Sequence, residues 1–546
     1  MAQRPAPPSF FTDITARSGI AFTHTNGVTG ELLLPEVIGA GGALFDFDND
    51  GDMDLLAVQG DALREQPRAT ARPRTRLYRN ELSRTGGGFI RFTDVTDASG
   101  LDVSGYGMGA ATGDYNNDGW MDVYVTGLGA SRMLRNNGDG TFADVTTVTR
   151  TSDSRWATSA TFFDYDRDGW LDLFVVHYVD FAVDMKRACF GADSSRDYCN
   201  PSVYAPVPAR LLHNDRDGTF SDVTSRAGML RAPARGLGVL AADFNADGWL
   251  DLYVANDGDP NHLWINRAGT GAFTDEALLA GVAVNRHGQP QGSMGIDAVD
   301  ADADGDEDLF VTNLDNEGNT FYRNVGPMLF EDRTVETGLF RLGFTGFGTR
   351  FVDYDNDGWP DLVAVNGAVR QSREQARRGD SYPLRQRNQL YRNDRGRRFT
   401  DVTDQAGPAF APLHVARGLA SGDLDNDGDA DLVVFNNSGP LRLLRNDVGD
   451  RQHWLGVRVL DGGRDALHAR VVRIDRAGRR TGRRVQVDGS YCAASDPRVL
   501  FGLGADSSQA TVRVEWPGGR VQEFTDLAVD RYWTLEAGKR PRSQAP

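Results

Sequence analysis

Asp46-Phe47-Asp48-Asn49-Asp50-Gly51-Asp52-Met53-Asp54 is the first of seven copies of one nine-residue loop, Asp-x-Asp/Asn-x-Asp-Gly-x-x-Asp. The others begin at Asp114, Asp164, Asp243, Asp300, Asp353 and Asp423. Oxygen-bearing side chains recur at positions 1, 3, 5 and 9. They are Asp46, Asp48, Asp50 and Asp54; Asp114, Asn116, Asp118 and Asp122; Asp164, Asp166, Asp168 and Asp172; and Asp243, Asn245, Asp247 and Asp251. The last three sets are Asp300, Asp302, Asp304 and Asp308; Asp353, Asp355, Asp357 and Asp361; and Asp423, Asp425, Asp427 and Asp431. Position 7 offers a backbone carbonyl from Asp52, Trp120, Trp170, Trp249, Asp306, Trp359 or Asp429. Calcium takes six to eight oxygens, which such a loop supplies from alternate side chains and a carbonyl. Glycine at position 6 permits the positive-φ bend that wraps the loop. Crowded carboxylates without a cation would raise one another's pKa. Calcium is the expected cofactor, about seven ions per chain.

An EF-hand opens the same way but needs a bidentate Glu at position 12 and flanking helices. Position 12 here is Ala57, Val125, Val175, Val254, Val311, Ala364 or Val434, inside a β-like run. Each loop therefore joins two strands.

Loop starts are 68, 50, 79, 57, 53 and 70 residues apart, a repeat with insertions. Each loop is followed by an apolar pair ending in Asn: Leu77 to Asn80, Met133 to Asn136, Leu211 to Asn214, Leu263 to Asn266, Phe321 to Asn324, Leu390 to Asn393 and Leu443 to Asn446. A third signature is Phe92-Thr93-Asp94-Val95-Thr96, with relatives at Phe142, Phe220, Phe273, Phe330 and Phe399. Four strands per unit, seven times over, predict an all-β fold, a seven-bladed β-propeller over 1–446. The seventh unit lacks its last strand, and Phe11-Thr12-Asp13-Ile14-Thr15 supplies the missing sequence. An N-terminal strand completing the last blade would close the ring. Topology then puts the acidic loops on one face. The long insertions Gly60 to Arg76, His177 to Arg210 and Gly367 to Asn388 fall on the other, where binding is expected.

After Asn446 the acidic loops stop, and alternating runs predict a small all-β domain over 447–540 with a 541–546 tail. That part holds 17 basic and 13 acidic residues, so residues 1–446 carry −22 of the chain's net −18. The acidity is metal-binding capacity concentrated in the loops. The Arg run from Arg470 to Arg484 is read as a solvated hairpin, and nucleic acid is not an expected partner beside so acidic a ring.

No run of 18 apolar residues exists, so no spanning helix is expected. Met1 to Pro8 has no signal region, so export implies a leader that this sequence lacks. A secreted or periplasmic protein is expected, because weak multi-site calcium loops suit the millimolar range; a monomer is expected as well. Cys189 and Cys199 share one insertion and are candidates for a disulfide. Catalytic signatures are absent: no Gly-x-Ser-x-Gly, His-Glu-x-x-His or phosphate-binding fingerprint occurs. Gly105 to Gly109 and Gly292 to Gly295 are read as small residues that let inner strands crowd a central channel. Asn256, Asn313, Asn366 and Asn436 end second strands, as strand caps or as a polar ring.

These features resemble the FG-GAP/VCBS repeat propellers, and more closely the cartilage-acidic-protein-like family with an ASPIC/UnbV domain. The carrying residues are Leu34-Pro35-Glu36 before Gly39-Ala40-Gly41-Gly42, the seven loops, and Arg417-Gly418. Phe501-Gly502-Leu503-Gly504 with Val514-Glu515-Trp516-Pro517-Gly518-Gly519 completes them. Asp465 to Arg470 departs from a Gly-Ala-Arg-like family segment. The resemblance implies an exported calcium-binding protein, often without assigned activity. Two functional classes stay open: a protein- or glycan-binding scaffold, and an enzyme or biosynthetic accessory with a pocket at the channel mouth.

Overall fold

The computed structural model describes residues 9–64, 73–86, 89–185, 187–191 and 194–543. Part of the first insertion, 65–72, lies outside them. The described chain is almost entirely β. Seven sheets of four antiparallel strands follow one another, the first extended by a fifth, parallel strand, and none closes on itself. In the second sheet Gly107–Gly113, Asp122–Gly127, Arg132–Asn136 and Phe142–Asp144 pair in order. Each acidic loop is the turn between a first and a second strand.

The recurring Phe and Asn are partners across the ladder. Phe142 stands opposite Asn136, Phe92 opposite Asn80 and Phe399 opposite Asn393. The N-terminal strand Phe11–Asp13 repeats this register on the seventh sheet, with Phe11 opposite Asn446. Phe11 is fully buried, its ring 5.5 Å from that of Phe410. The Asp-x-Thr that ends each fourth strand acts as a clip. Asp94 Oδ1 accepts from the Thr96 amide and hydroxyl, and Thr96 Oγ1 accepts from the Leu77 amide at 3.0 Å. The same clip recurs through Thr146, Thr224, Thr334, Thr403 and, on the N-terminal strand, Thr15. The fourth sheet has Ala277 in place of Thr, and there Asp275 Oδ1 takes the Leu263 amide directly.

Apolar side chains alternate outward from the sheets and fill the space between neighbours. Leu44, Leu55 and Tyr78 of the first sheet share one cluster with Val433, Leu441 and Leu443 of the seventh. First strands also neighbour one another in turn: Gly42–Phe45 touches Gly107–Gly113 on one side and Ala416–Gly422 on the other.

Beyond Asn446, His453–Asp461 pairs with Val499–Gly504 and, in parallel, with Tyr532–Glu536. A second sheet joins Arg480–Arg484, Arg470–Ile474, Ala510–Glu515 and Val521–Leu527. Its core is continuous with Phe162 and Leu173 of the third repeat sheet. This part does not stand apart: residues 485–496 leave it and run between the first strands. Ala493–Ala494 pairs with Gly42 and Ala43, and Ser490 with Ile296. Asp488 Oδ2 accepts from Thr161 Oγ1 and the Ala241 amide, each at 2.8 Å. Arg350 Nη1 donates to the Asp488 carbonyl, and the Ser421 amide to Ser495 Oγ. A methyl group on Gly109 would lie 2.3 Å from the Cys492 carbonyl oxygen. Every repeat sheet thus touches this segment. The glycines expected to let strands crowd a channel also make room for a plug.

Candidate metal centres and the opposite face

All seven loops fold alike. The position-1 carboxylate accepts from the amides of positions 5 and 6; in the first loop Asp50 and Gly51 donate to Asp46 at 3.1 Å each. The position-5 carboxylate accepts from the position-7 amide, as Trp120 donates to Asp118 at 2.9 Å. The position-9 carboxylate bridges inward and outward. Asp54 Oδ2 takes the Phe47 amide at 3.0 Å and Oδ1 the Asn80 amide at 2.8 Å. Glycine at position 6 has φ between 85° and 104°. Position 4 is also left-handed, φ 53° to 63°, a requirement the sequence reading missed although Asn49, Asn117, Asn356 and Asn426 are the residue type that tolerates it.

Carboxylate oxygens of positions 1, 3 and 5 gather within 4.8 Å in the loops of Asp46, Asp164, Asp300 and Asp353. One oxygen of position 3 is buried without a hydrogen-bond donor in four loops: Asp48, Asp302, Asp355 and Asp425 Oδ1. An orphaned carboxylate oxygen beside two others fits a hard cation and no internal donor. Burial, reinforced by neighbouring acids, pushes Asp164 up to about 6, Asp251 to about 8 and Asp427 to about 10. Where Asn replaces Asp at position 3, its amide donates to position 5: Asn116 to Asp118 and Asn245 to Asp247. Those two loops carry less charge toward a cation. The third loop differs in bringing His213 Nδ1 to 3.1 Å from Asp172 Oδ1, where most units have arginine. Tryptophan at position 7 packs against the third-to-fourth-strand turn; a methyl group on Gly138 would sit 2.7 Å from Trp120 Nε1.

The third-strand asparagine couples one loop to the preceding sheet. Asn136 Nδ2 donates to the Phe47 carbonyl at 2.8 Å and to Met121 at 3.3 Å. Asn214, Asn266, Asn393 and Asn446 repeat the reach, and Asn80 makes it from the first sheet to Leu424 of the seventh. Position 4 reaches the other way: Asn49 donates to Gly119, Asn117 to Gly169, and Asn426 to Asp52. Asn136→Ala leaves two buried carbonyls without donors and is expected to cost about 2–4 kcal/mol. Urea denaturation in saturating calcium checks it; a change below about 0.5 kcal/mol would show that the link carries no stability.

The C-terminal sheets lie over this acidic face. Arg458 Nη1 is 3.2 Å from Asp46 Oδ2, Tyr532 Oη donates to Asp423 Oδ2 at 2.7 Å, and Arg498 Nη2 to the Asp423 carbonyl at 2.6 Å. Arg470 donates to the Gly305 carbonyl, Arg464 to Gly169, and Arg484 pairs with Glu307 at 3.1 Å. The Arg470–Arg484 hairpin, expected in solvent, keeps Arg476, Arg479 and Arg480 there but sets Arg470 and Arg484 at its base against the fifth loop. Charge alone could not reveal this, because the matching acids stand far away in sequence. Gly502 of Phe-Gly-Leu-Gly fits the sixth loop: a methyl group there would meet Asp353 Oδ2 at 2.2 Å.

On the opposite face the insertions gather. Cys189 and Cys199 are joined by a disulfide. Asn256, Asn366 and Asn436 cap turns, their amides donating to the carbonyls of Pro260, Arg387 and Pro440. His177 is buried between Asp153 Oδ2, 2.9 Å away, and the Pro208 carbonyl, a structural place. Arg417 is fully buried and anchors the root of the third insertion. Its guanidinium donates to the carbonyls of Val37, Gly367, Ala416 and Ala368 and stacks 3.9 Å over the Phe347 ring. Glu36 is buried alongside, accepting from Thr29 and from Tyr198 Oη. The Leu34-Pro35-Glu36 and Arg417-Gly418 signatures therefore build the floor of this face. A cleft beside it is lined by Leu237, Met294, Phe347 and Tyr178, whose hydroxyl donates to Asp257 Oδ2 at 2.6 Å. Its free space is about 30 Å³, enough for a small group.

A β repeat protein with one acidic loop per repeat, covered by a second β unit, is the class that these features define. An FG-GAP-like repeat model matches residues 46–125, 114–175, 202–254, 243–311, 300–364 and 380–434. An ASPIC and UnbV model matches residues 461–542. The chain belongs to the FG-GAP repeat family and carries an ASPIC and UnbV segment. It is similar to cartilage acidic protein 1 of Homo sapiens, 26% identical over 311 residues, covering 55% of this chain and 43% of that protein. The Xenopus tropicalis protein of the same name is 24% identical over 325 residues, covering 58% and 38%. The match spans less than half the length of these relatives. Among solved structures, an Agrocybe aegerita lectin with specific recognition of non-reducing terminal N-acetylglucosamine aligns over 69% of this chain and 90% of its own. Its identity is 16% and its TM-score 0.35, a likeness too slight to argue from. No helix among the described residues is long and apolar enough to cross a membrane.

Proposed function

We propose that the chain is an exported, calcium-dependent binding scaffold that recognises a protein or glycan on its insertion face. Residues 1–446 make a seven-bladed propeller closed by the N-terminal strand, and 447–540 a β domain that caps it, followed by the 541–546 tail. The links from Asn80 to Leu424 and from Asn426 to Asp52, between first and seventh sheets, support closure. Each loop holds one calcium ion through the side chains of positions 1, 3, 5 and 9 and the carbonyl of position 7, about seven in all. The ions are structural: they pin hairpins whose carboxylates would otherwise repel one another. Export is supported by the Cys189–Cys199 disulfide, which persists in oxidising compartments.

The observation that carries this reading is the asymmetry of the two faces. The acidic face is covered by arginines of the C-terminal sheets, while the insertions surround open surface. The catalytic alternative has one feature in its favour, the Tyr178–Asp257 pair, whose carboxyl burial pushes up to about 6. Replacing 371–381 by a short Gly-Ser linker spares Arg417's carbonyl ligands. It is expected to keep calcium content and β circular dichroism while abolishing capture of a natural partner. Capture left intact, with acidic-loop variants that stay folded losing it, would reverse the assignment of faces.

A further inference from the structure

The third and second long insertions face each other across a groove of about 730 Å³. One wall is the disulfide-closed hairpin, Cys189–Phe190 paired with Arg196–Asp197. The other is the short helix Arg373–Arg377 and the residues leading into it. The walls are tied at the base, where the Gln371 amide donates to Asp197 Oδ1 at 3.2 Å.

Among the described lining residues cationic side chains outnumber anionic ones, Arg370, Arg373 and Arg377 against Asp197. In a chain of net charge −18, residues 367–388 hold six arginines against Glu374 and Asp380. Arg370 and Arg377 line the groove, are exposed, and have no ion-pair partner among the described residues. The one lining carboxylate among the described residues, Asp197, accepts from the Gln371 and Tyr198 amides on Oδ1. Recognition of sugar hydroxyls needs acceptors as well as donors, and the side chains here offer mainly donors. Beside the arginines stand apolar groups held open to water: Phe190 is 61% exposed and Val203 36%. A guanidinium pair next to exposed apolar side chains fits a ligand that alternates carboxylates with apolar groups.

We propose that this groove receives an acidic, extended peptide segment of a partner protein, its carboxylates on Arg370 and Arg377 and an apolar side chain on Phe190. The proposal rests on the insertion face being the binding surface, and names the class of partner. The disulfide and the buried Arg417 give both walls fixed roots, so the groove is preorganised and little ordering cost falls on the protein.

The test uses the full chain saturated with calcium and fluorescence anisotropy of three labelled probes. They are a ten-residue glutamate-rich peptide with one central leucine, its lysine-rich counterpart, and a sulfated oligosaccharide. The glutamate peptide is expected to bind and to weaken as salt rises, because exposed charges are screened. Arg370→Glu with Arg377→Glu should weaken it by about tenfold or more, and Phe190→Ser by about threefold, as rim charges and apolar contacts do. Arg476→Glu with Arg480→Glu, on the exposed C-terminal turn, should change it by less than about twofold. Equal binding of the lysine peptide, no effect of the double reversal, or no peptide binding at all would overturn the proposal. Binding of the oligosaccharide alone, lost on double reversal, would overturn the peptide while leaving the insertion face as the binding surface.

Discussion

Stripped of calcium at pH 8, the protein is expected to melt at least about 10 °C lower than when loaded, or to lose its cooperative transition. A ligand at a hundred times its Kd stabilises the native state by about 2.7 kcal/mol per site, and the loops number seven. Seven such contributions exceed the whole stability of a typical domain, about 5–15 kcal/mol. The pH dependence follows from the carboxylates. Burial raises Asp46 to about 7, Asp251 and Asp353 to about 8, above their unfolded value. Groups raised on folding contribute stability that is complete below about pH 4 and lost as pH climbs through the folded values. Chelated protein should therefore weaken between about pH 5 and 8, while calcium, by replacing protons, holds the loaded form steady. The gap between the two melting temperatures widens with pH. The Asn116 and Asn245 loops, with less charge, should empty first in a chelator titration followed by elemental analysis. A melting temperature indifferent to chelator at pH 8, or a gap that grows on acidification, would defeat this account. Asp50→Ala should empty the first loop alone.

Gly41→Ala is expected to unseat residues 485–496 while the repeat sheets keep their calcium. The added methyl would stand 1.9 Å from the Cys492 carbonyl oxygen, backbone against backbone, so one side must move. Overpacking of this kind costs about 1–3 kcal/mol and sometimes more. The reporter is built in. Cys492 is the free thiol, buried, its Sγ donating to the Thr158 carbonyl at 3.4 Å, and burial pushes its pKa up to about 12. Thiol reagents should leave the native protein untouched and label Gly41→Ala quickly. Gly482→Ala, where the nearest atom is a flexible arginine at 3.6 Å, should behave as the parent. Rapid labelling of the parent would mean that the segment is not held as described.

The parts legible in the sequence are those written locally and repeatedly. The acidic loop, the Phe that faces Asn and the Asp-x-Thr clip each close within one unit, so spacing alone exposes them. The N-terminal strand was legible because it copies a signature that one unit lacks. What stayed hidden joins residues that share no local pattern. Cys492 meets Ser159 across 333 positions, and Arg417 binds Val37 across 380. Arg458, Arg464, Arg470, Arg484 and Arg498 look like ordinary surface charge until the acidic loops are beneath them. The Leu-Tyr-Arg-Asn asparagine was visible as a repeat, but its task of tying adjacent sheets needs the neighbour's carbonyl in view.

Repeat proteins commonly gain and lose units in evolution, because each unit leans only on its neighbours. Here a single segment is fitted to all the first strands at once, from Gly42 and Gly109 through Thr161, Ala241, Ile296 and Arg350 to Ser421. Inserting or deleting one unit would change the set of first strands and leave that segment with partners missing or displaced. The number of repeats is thereby tied to a contact made outside them, so a chain with one unit more or fewer would have to rebuild residues 485–496 as well.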